Sequence, residues 1–231
     1  GPPIIGKFYR PDRWSDDQII EEHDLTLRLE AKDVSVVAPI QIDNRTLFFH
    51  GGYRFSLYPR RGGRAPNLDD LDNLEILGRH IGMIHAECQT AEFKFRPEVS
   101  VDSYAEASRE FLLDEDFIPE ELLPAYTTVS EQLIDLLWDR FDQAHQVAHI
   151  PLHGDCHMGN VLWRDDVPHF VDFDDARTGP PIQDLWMMLS GERDEQTIQL
   201  DTILEGYNMF AEFDARQIQL IEPLRSLRLM Y

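Results

Sequence analysis

The sequence predicts an α+β chain: a small β-rich segment carrying one helix, followed by a larger, mainly helical part that contains a short β-hairpin. Three observations predict it. Turn signals at Asn44–Arg45 and Gly51–Gly52 separate short apolar runs within "NRTLFFHGGYRFSLYP". Apolar residues then recur at helical spacing from Leu74 onward. Between 150 and 175 that period breaks, and two short apolar runs flank "DDVP".

Taken in order, residues 3–9 suit a short strand that ends at Pro11. "SDDQ" at 15–18 is a capping box in which Ser15 caps a helix and Gln18 reaches back. That helix runs to about Leu29. Residues 36–58 read as strands and turns, and "RRGGRAP" at 60–66 is a glycine-rich connector. A domain boundary is placed there, giving 1–62 and 63–231. Leu74, Leu77, Ile81 and Ile84 form one helix face, with Gly78 and Gly82 permitting close approach of another element. Leu133, Ile134, Leu137, Trp138 and Phe141 mark a second amphipathic helix, and two more follow near 196–210 and 215–231.

Composition narrows the function. The chain has 231 residues, 42% hydrophobic, with a formal net charge of −22. Such a surface repels nucleic acid and anionic lipid, so neither is expected as a partner. A polyphosphate would need a local cation, either a metal or Lys/Arg. The two cysteines, Cys88 and Cys156, read as reduced thiols, and a cytoplasmic location is expected. No apolar stretch approaches the ~20 residues of a membrane span, and no signal peptide is seen at the start. A monomer is expected.

The chemistry concentrates in "LHGDCHMGN" at 152–160 and "FVDFDDA" at 170–176. "VLWR" (161–164) and "HFVD" (169–172) read as hairpin strands, with Asn160 and Asp172 symmetric about a turn at 165–167. Paired antiparallel strands bring such positions to ~5 Å at the alpha carbons. An amide oxygen and a carboxylate at one hairpin mouth are hard ligands suited to Mg²⁺. Asp155, in the loop leading in, reaches the same mouth without being a ligand. Phosphoryl transfer needs this division: metal on the phosphates, a separate carboxylate on the attacking hydroxyl. Each residue alone would read as a turn cap; the joint spacing points to the site.

"HGDCHMGN" followed by "VDFDD" resembles the H-G-D-x-H-x-x-N and V-D-x-x signatures of the aminoglycoside phosphotransferase-like kinases, which share the bilobal protein-kinase fold. "KFYRPDRWS", "VDFDDARTGPPIQDLWMMLSG" and "IEPLRSLRLMY" look like the stress response kinase A (RdoA) family along nearly the whole chain. The resemblance implies an ATP-dependent kinase, with Asp155 as catalytic base and Asn160 and Asp172 as Mg²⁺ ligands. It implies Lys7 on the ATP phosphates and Glu22 as its ion-pair partner, with Glu21 the neighbouring candidate. "SLYPRRGG" would be the hinge, with backbone groups near Tyr58–Arg60 facing adenine. Relatives carry two more strands and a phosphate-covering loop before the lysine strand, and further helices at the end. The expectation is therefore a partial N-lobe and incomplete C-terminal helices, so that this stretch alone would not bind ATP normally.

Supporting roles fall to His153, packed in its loop, and His157, which orients the loop or touches a phosphate or Asp172. Asp174 and Asp175 read as groups behind the metal site or as solvated charges. Asp184 braces the catalytic loop through backbone N–H groups, and Cys156 is a spacer. Only eleven residues separate Asp172 from Asp184, too few for a phosphorylatable activation loop. The resemblance implies a Ser/Thr protein acceptor. A small hydroxylated metabolite or aminoglycoside, favoured by the acidic charge, is the second reading. A silent kinase-fold binding protein is the third.

Overall fold

A computed structural model describes residues 1–231. The chain begins with β1 (Ile4–Phe8) and α1 (Asp16–Glu30). Ser15 Oγ accepts from the Gln18 N–H while Gln18 Oε1 accepts from the Ser15 N–H, so the capping box is complete. Such a cap contributes about 1 kcal/mol. β2 (Phe48–His50) and β3 (Tyr53–Pro59) form a hairpin, and the sheet order is β1-β3-β2, all antiparallel. Between α1 and β2 the expected strand content is absent. Residues 36–47 make only single bridges, Val36 to Phe170 and Ile42 to Arg45.

One face of α1 is buried, and the residues on it include three polar ones, Glu22, His23 and Thr26. His23 lies fully buried between Tyr9 Oη and Thr46 Oγ1, each 2.8 Å from a ring nitrogen. This polar strut ties the helix to the sheet. Burial lowers the His23 pKa to about 4, so the ring stays neutral.

The helical part holds α2 (Leu71–Cys88), a π-helical turn at Asp102–Glu106 running into α3 (Ala107–Asp114), and α4 (Leu123–Gln143). After a run of short strands come α5 (Ile182–Trp186), α6 (Arg193–Tyr207), a 3₁₀ stretch at Ala215–Leu220 and α7 (Ile221–Met230). α2 and α6 pack closely against each other. A Cβ on Gly78 would lie 2.0 Å from the Ile203 carbonyl oxygen, and one on Gly206 would lie 2.1 Å from that of Glu75. Backbone therefore packs on backbone. No helix is long and apolar enough to cross a membrane.

Residues 150–179 are built from β4 (Ile150–Leu152) paired with β7 (Arg177–Gly179), and β5 (Val161–Arg164) paired with β6 (Val167–Phe170). The β5–β6 turn is two residues, Asp165 and Asp166, both with positive φ (52° and 57°). That is the left-handed pair a tight hairpin turn needs. The hairpin is held on both flanks. Trp163 and Arg64 exchange backbone hydrogen bonds, and Phe170 bonds Ser35 and Val37. The first sixty residues and the helical part thus meet across one small β layer.

Candidate active site

The two-residue turn shifts the register by one from the expected symmetry. Val161 pairs with Phe170, so Asn160 stands opposite Val171, whose N–H it accepts at 3.0 Å. Asp172 lies one residue beyond. It takes a left-handed conformation (φ 60°, ψ 63°) that turns the chain out of the strand, a shape Asp tolerates better than most residues.

Asp155 follows Gly154, whose φ of 82° and close approach to the Asp175 carbonyl leave no room for a side chain. The loop is pinned from below by Asp184. Its two carboxylate oxygens accept the N–H groups of His153 and Gly154, each at 2.9 Å, and one also meets His85 Nε2 at 3.1 Å. Asp184 is fully buried. Burial pushes its pKa up, yet His85 and the loop N–H groups hold it below the usual carboxylate range. Gln183 adds a bond to the Gly154 carbonyl.

His153 is buried. Its Nδ1 accepts from the Asp155 N–H and its Nε2 faces the Val171 carbonyl at 2.9 Å, so the ring bridges the loop and the hairpin. His157 Nδ1 accepts from the Gly159 N–H, which leaves Nε2 carrying the proton, 3.4 Å from Asp155 Oδ2. His157 therefore meets Asp155, not Asp172. Asn160 Nδ2 donates to the Asp155 carbonyl at 2.9 Å and to Oδ2 at 3.3 Å. With the nitrogen committed, the amide oxygen is the group Asn160 offers to a cation.

Lys7 corrects a second expectation. It forms no ion pair with Glu22. Its Nζ sits 2.9 Å from Asp172 Oδ1 and 3.0 Å from Asp174 Oδ1. Glu22 is buried, and its Oε2 has no hydrogen-bond partner. Burial raises the Glu22 pKa to about 7, against the pull of Lys7 and Arg96. Burial alone would lower the Lys7 pKa; Glu22, Asp174 and Asp172 together raise it. Glu22 thus acts on Lys7 through the field. Glu21 is not an alternative, because its carboxylate accepts the backbone N–H groups of Lys94, Phe95 and Arg96.

Asp174 and Asp175 are not solvated charges. Asp174 also meets Arg13 at 3.1 Å and the Trp14 indole N–H at 3.4 Å, and Asp175 meets Arg13 and Arg177. Burial opposes ionisation of Asp174, but Lys7 and Arg13 prevail and keep its pKa low. Arg96, stacked on Trp14, binds the carbonyls of Gln18, Asp174 and Ala176. These arginines were not singled out from the sequence. They are scattered at 13, 96 and 177, and only folding brings them together.

Lys7, Glu22 and Asp172 line one cleft of about 500 Å³, walled also by Ile5, Val37, Tyr58, Leu162 and Phe173. That size suits a nucleotide-sized ligand. Tyr58, Pro59, Arg60 and Arg61 form one rim. The Arg60 N–H is already bonded to the Pro3 carbonyl at 3.2 Å, so in this arrangement it is not a free donor.

The model of the phosphotransferase enzyme family matches residues 1–220. Stress response kinase A of Escherichia coli K12 is 44% identical over 228 residues, covering 99% of this chain and 69% of that protein. The chain belongs to the stress response kinase A family. The serine/threonine protein kinase RdoA of Salmonella typhimurium LT2 is equally similar, at 44% over the same length. Among solved structures, amicoumacin kinase hAmiN in complex with AMP-PNP, Ca²⁺ and Ami superposes with a TM-score of 0.80. It is 21% identical and covers 100% of this chain and 73% of its own. A spectinomycin phosphotransferase in complex with ADP and spectinomycin gives 0.64 at 17% identity, covering 98% of this chain and 72% of its own. At such identities these structures establish the fold of this stress response kinase A family member, an α+β phosphotransferase fold.

Proposed function

We propose that the chain carries the ATP-dependent phosphoryl-transfer site of a Ser/Thr protein kinase, with Asp155 as base. The observation that carries the site assignment is a chain of contacts: Asn160 donates to Asp155 and accepts the Val171 N–H, and the next residue, Asp172, binds Lys7 in the cleft. The kinase class itself follows from the family.

Asp155 would take the proton of the acceptor hydroxyl as its oxygen bonds the γ-phosphorus and the bond to the ADP oxygen breaks. His157 holds Asp155 Oδ2 from the side, and Asp184 and His153 hold the loop beneath it, so orientation is set before the acceptor arrives. Lys7 would pass from Asp172 and Asp174 to the phosphates, with Glu22 as its buried counter-charge. The donor set fits Mg²⁺: Asn160 offers an amide oxygen, and Asp172 and Asp174 already hold one cation, the Lys7 ammonium. Mg²⁺ there, when bound, would neutralise charge on the phosphates. We keep 1–62 and 63–231 as the two lobes, hinged near Tyr58–Arg60.

The test is transfer of label from γ-labelled ATP with Mg²⁺, run side by side on Ser/Thr peptides and aminoglycosides. Label on peptide that Asp155→Asn removes supports the proposal. Label on aminoglycosides alone would move the protein to the small-molecule reading.

A further inference from the structure

The catalytic carboxylate has a partner that the division of labour above does not use. Arg228, on α7 and 73 residues from Asp155 in sequence, places Nη2 against Asp155 Oδ1. Oδ2 is already taken by His157 and Asn160. In the resting site, therefore, neither oxygen of the base is bare.

Arg228 engages through Nη2 alone, and its side chain is 42% exposed. A guanidinium presents five donors in a fixed fork, so Nη1 and Nε remain for a second anion. Neighbouring arginines are spent. Arg13 and Arg177 hold Asp174 and Asp175, and Arg225, one turn earlier on α7, holds Glu222 and Gln196. The end of α7 is fixed. The Tyr231 ring lies 4.6 Å from that of Tyr104, and Arg177 sits against both. Arg228 is thus a placed cation beside the catalytic aspartate.

Taking the kinase reading as given, we propose that Arg228 is the specificity-determining residue for the acceptor: it selects a Ser or Thr flanked by a carboxylate. A carboxylate next to the acceptor hydroxyl draws the guanidinium off Asp155 Oδ1. That frees the oxygen for the hydroxyl proton and docks the acceptor in one move. A polycationic acceptor would face Arg228 with like charge. The net charge of −22 works against an acidic acceptor, so a preference for one must come from a local group.

The experiment measures kcat/KM of the full chain on three peptides: Ser flanked by Asp, by the isosteric Asn, and by Lys. The expected order is Asp over Asn over Lys, with Asp about 10-fold above Asn, the size of one charge-assisted hydrogen bond. Arg228→Gln should bring the Asp/Asn ratio to within about twofold, and Arg228→Lys should retain part of it. Arg228→Glu should reverse the order. A purely structural role would lower all three peptides alike and leave the ratios intact, which would overturn the proposal. So would a wild-type enzyme that phosphorylates the Asp and Asn peptides equally. Absence of transfer to any acceptor would instead sink the kinase reading on which the proposal rests.

Discussion

Lys7 reaches past Glu22 to Asp172: its Nζ lies 2.9 Å from Asp172 Oδ1, while the buried Glu22 carboxylate keeps one oxygen without a partner. The strand lysine thus neutralises two acids, Asp172 and Asp174. Replacing it has two consequences of opposite sign. Lys7→Ala should weaken ATP binding about 10-fold or more, the scale of a lost charged hydrogen bond. It should also take the one cation from Asp172 and one of two from Asp174, which keeps Arg13, and so raise the affinity for Mg²⁺ alone. Titration with nucleotide and with Mg²⁺ separately reads both; unchanged ATP affinity would remove Lys7 from the nucleotide site.

Asp155→Asn should lower the transfer rate by ~10²–10⁴-fold, the usual range for a positioned base. ATP affinity should hold, because Asp155 touches Arg228, His157 and Asn160 and not Lys7 or Asp172. Asp172→Asn should instead weaken Mg·ATP binding. Steady-state kinetics with nucleotide titration separates them. Near-full activity of Asp155→Asn would return the loop to a structural role.

Glu22 gives a pH dependence. Its folded pKa, about 7, lies above the ordinary 4.5, so the folded state binds the proton more tightly than the unfolded state does. Stability from this group is full below pH 4.5 and is lost as pH rises through 7. The loss is about 3 kcal/mol at most, at 1.36 kcal/mol per pKa unit. Glu22→Gln should be near neutral at pH 5 and stabilising relative to wild type at pH 8. Thermal unfolding of both at the two pH values checks the sign; a difference that shrinks toward pH 8 refutes it.

Asp184→Ala should cost about 3–5 kcal/mol, since it leaves two buried N–H groups and His85 without their acceptor. Asp184→Asn keeps the shape and one acceptor oxygen and should cost less. Denaturant midpoints rank the two, and a loss under about 1 kcal/mol for the alanine would mean the loop is held otherwise.

Gly78→Ala should destabilise by about 1–3 kcal/mol, although alanine is the better helix former by about 1 kcal/mol. The added carbon would meet the Ile203 carbonyl, part of the backbone of α6. A neutral or stabilising outcome would show that α2 and α6 can part at no cost.

The sequence by itself determined what is local or carried by spacing. The Ser15–Gln18 box, the helix bearing Leu74, Leu77, Ile81 and Ile84, and the 161–170 hairpin depend on neighbours within a few residues, so pattern reveals them. Asp155, Asn160 and Asp172 were legible because they lie close together on one loop-and-hairpin unit, and Asp184 follows at the start of the next helix. Tertiary structure decided what depends on register and on charges far apart in the chain. A two-residue turn put Val171, not Asp172, opposite Asn160, a one-residue difference that no composition encodes. Lys7 chose Asp172 and Asp174 over Glu22: Glu22 is sealed in the helix–sheet interior, while Asp172 stays half exposed and Arg13 helps to hold Asp174 ionised. Arg13, Arg96 and Arg228 make hydrogen bonds across 73 to 162 residues, and Arg177 also sits against the Tyr104 ring. Electrostatics depends on distance in space, and only the folded chain sets that distance.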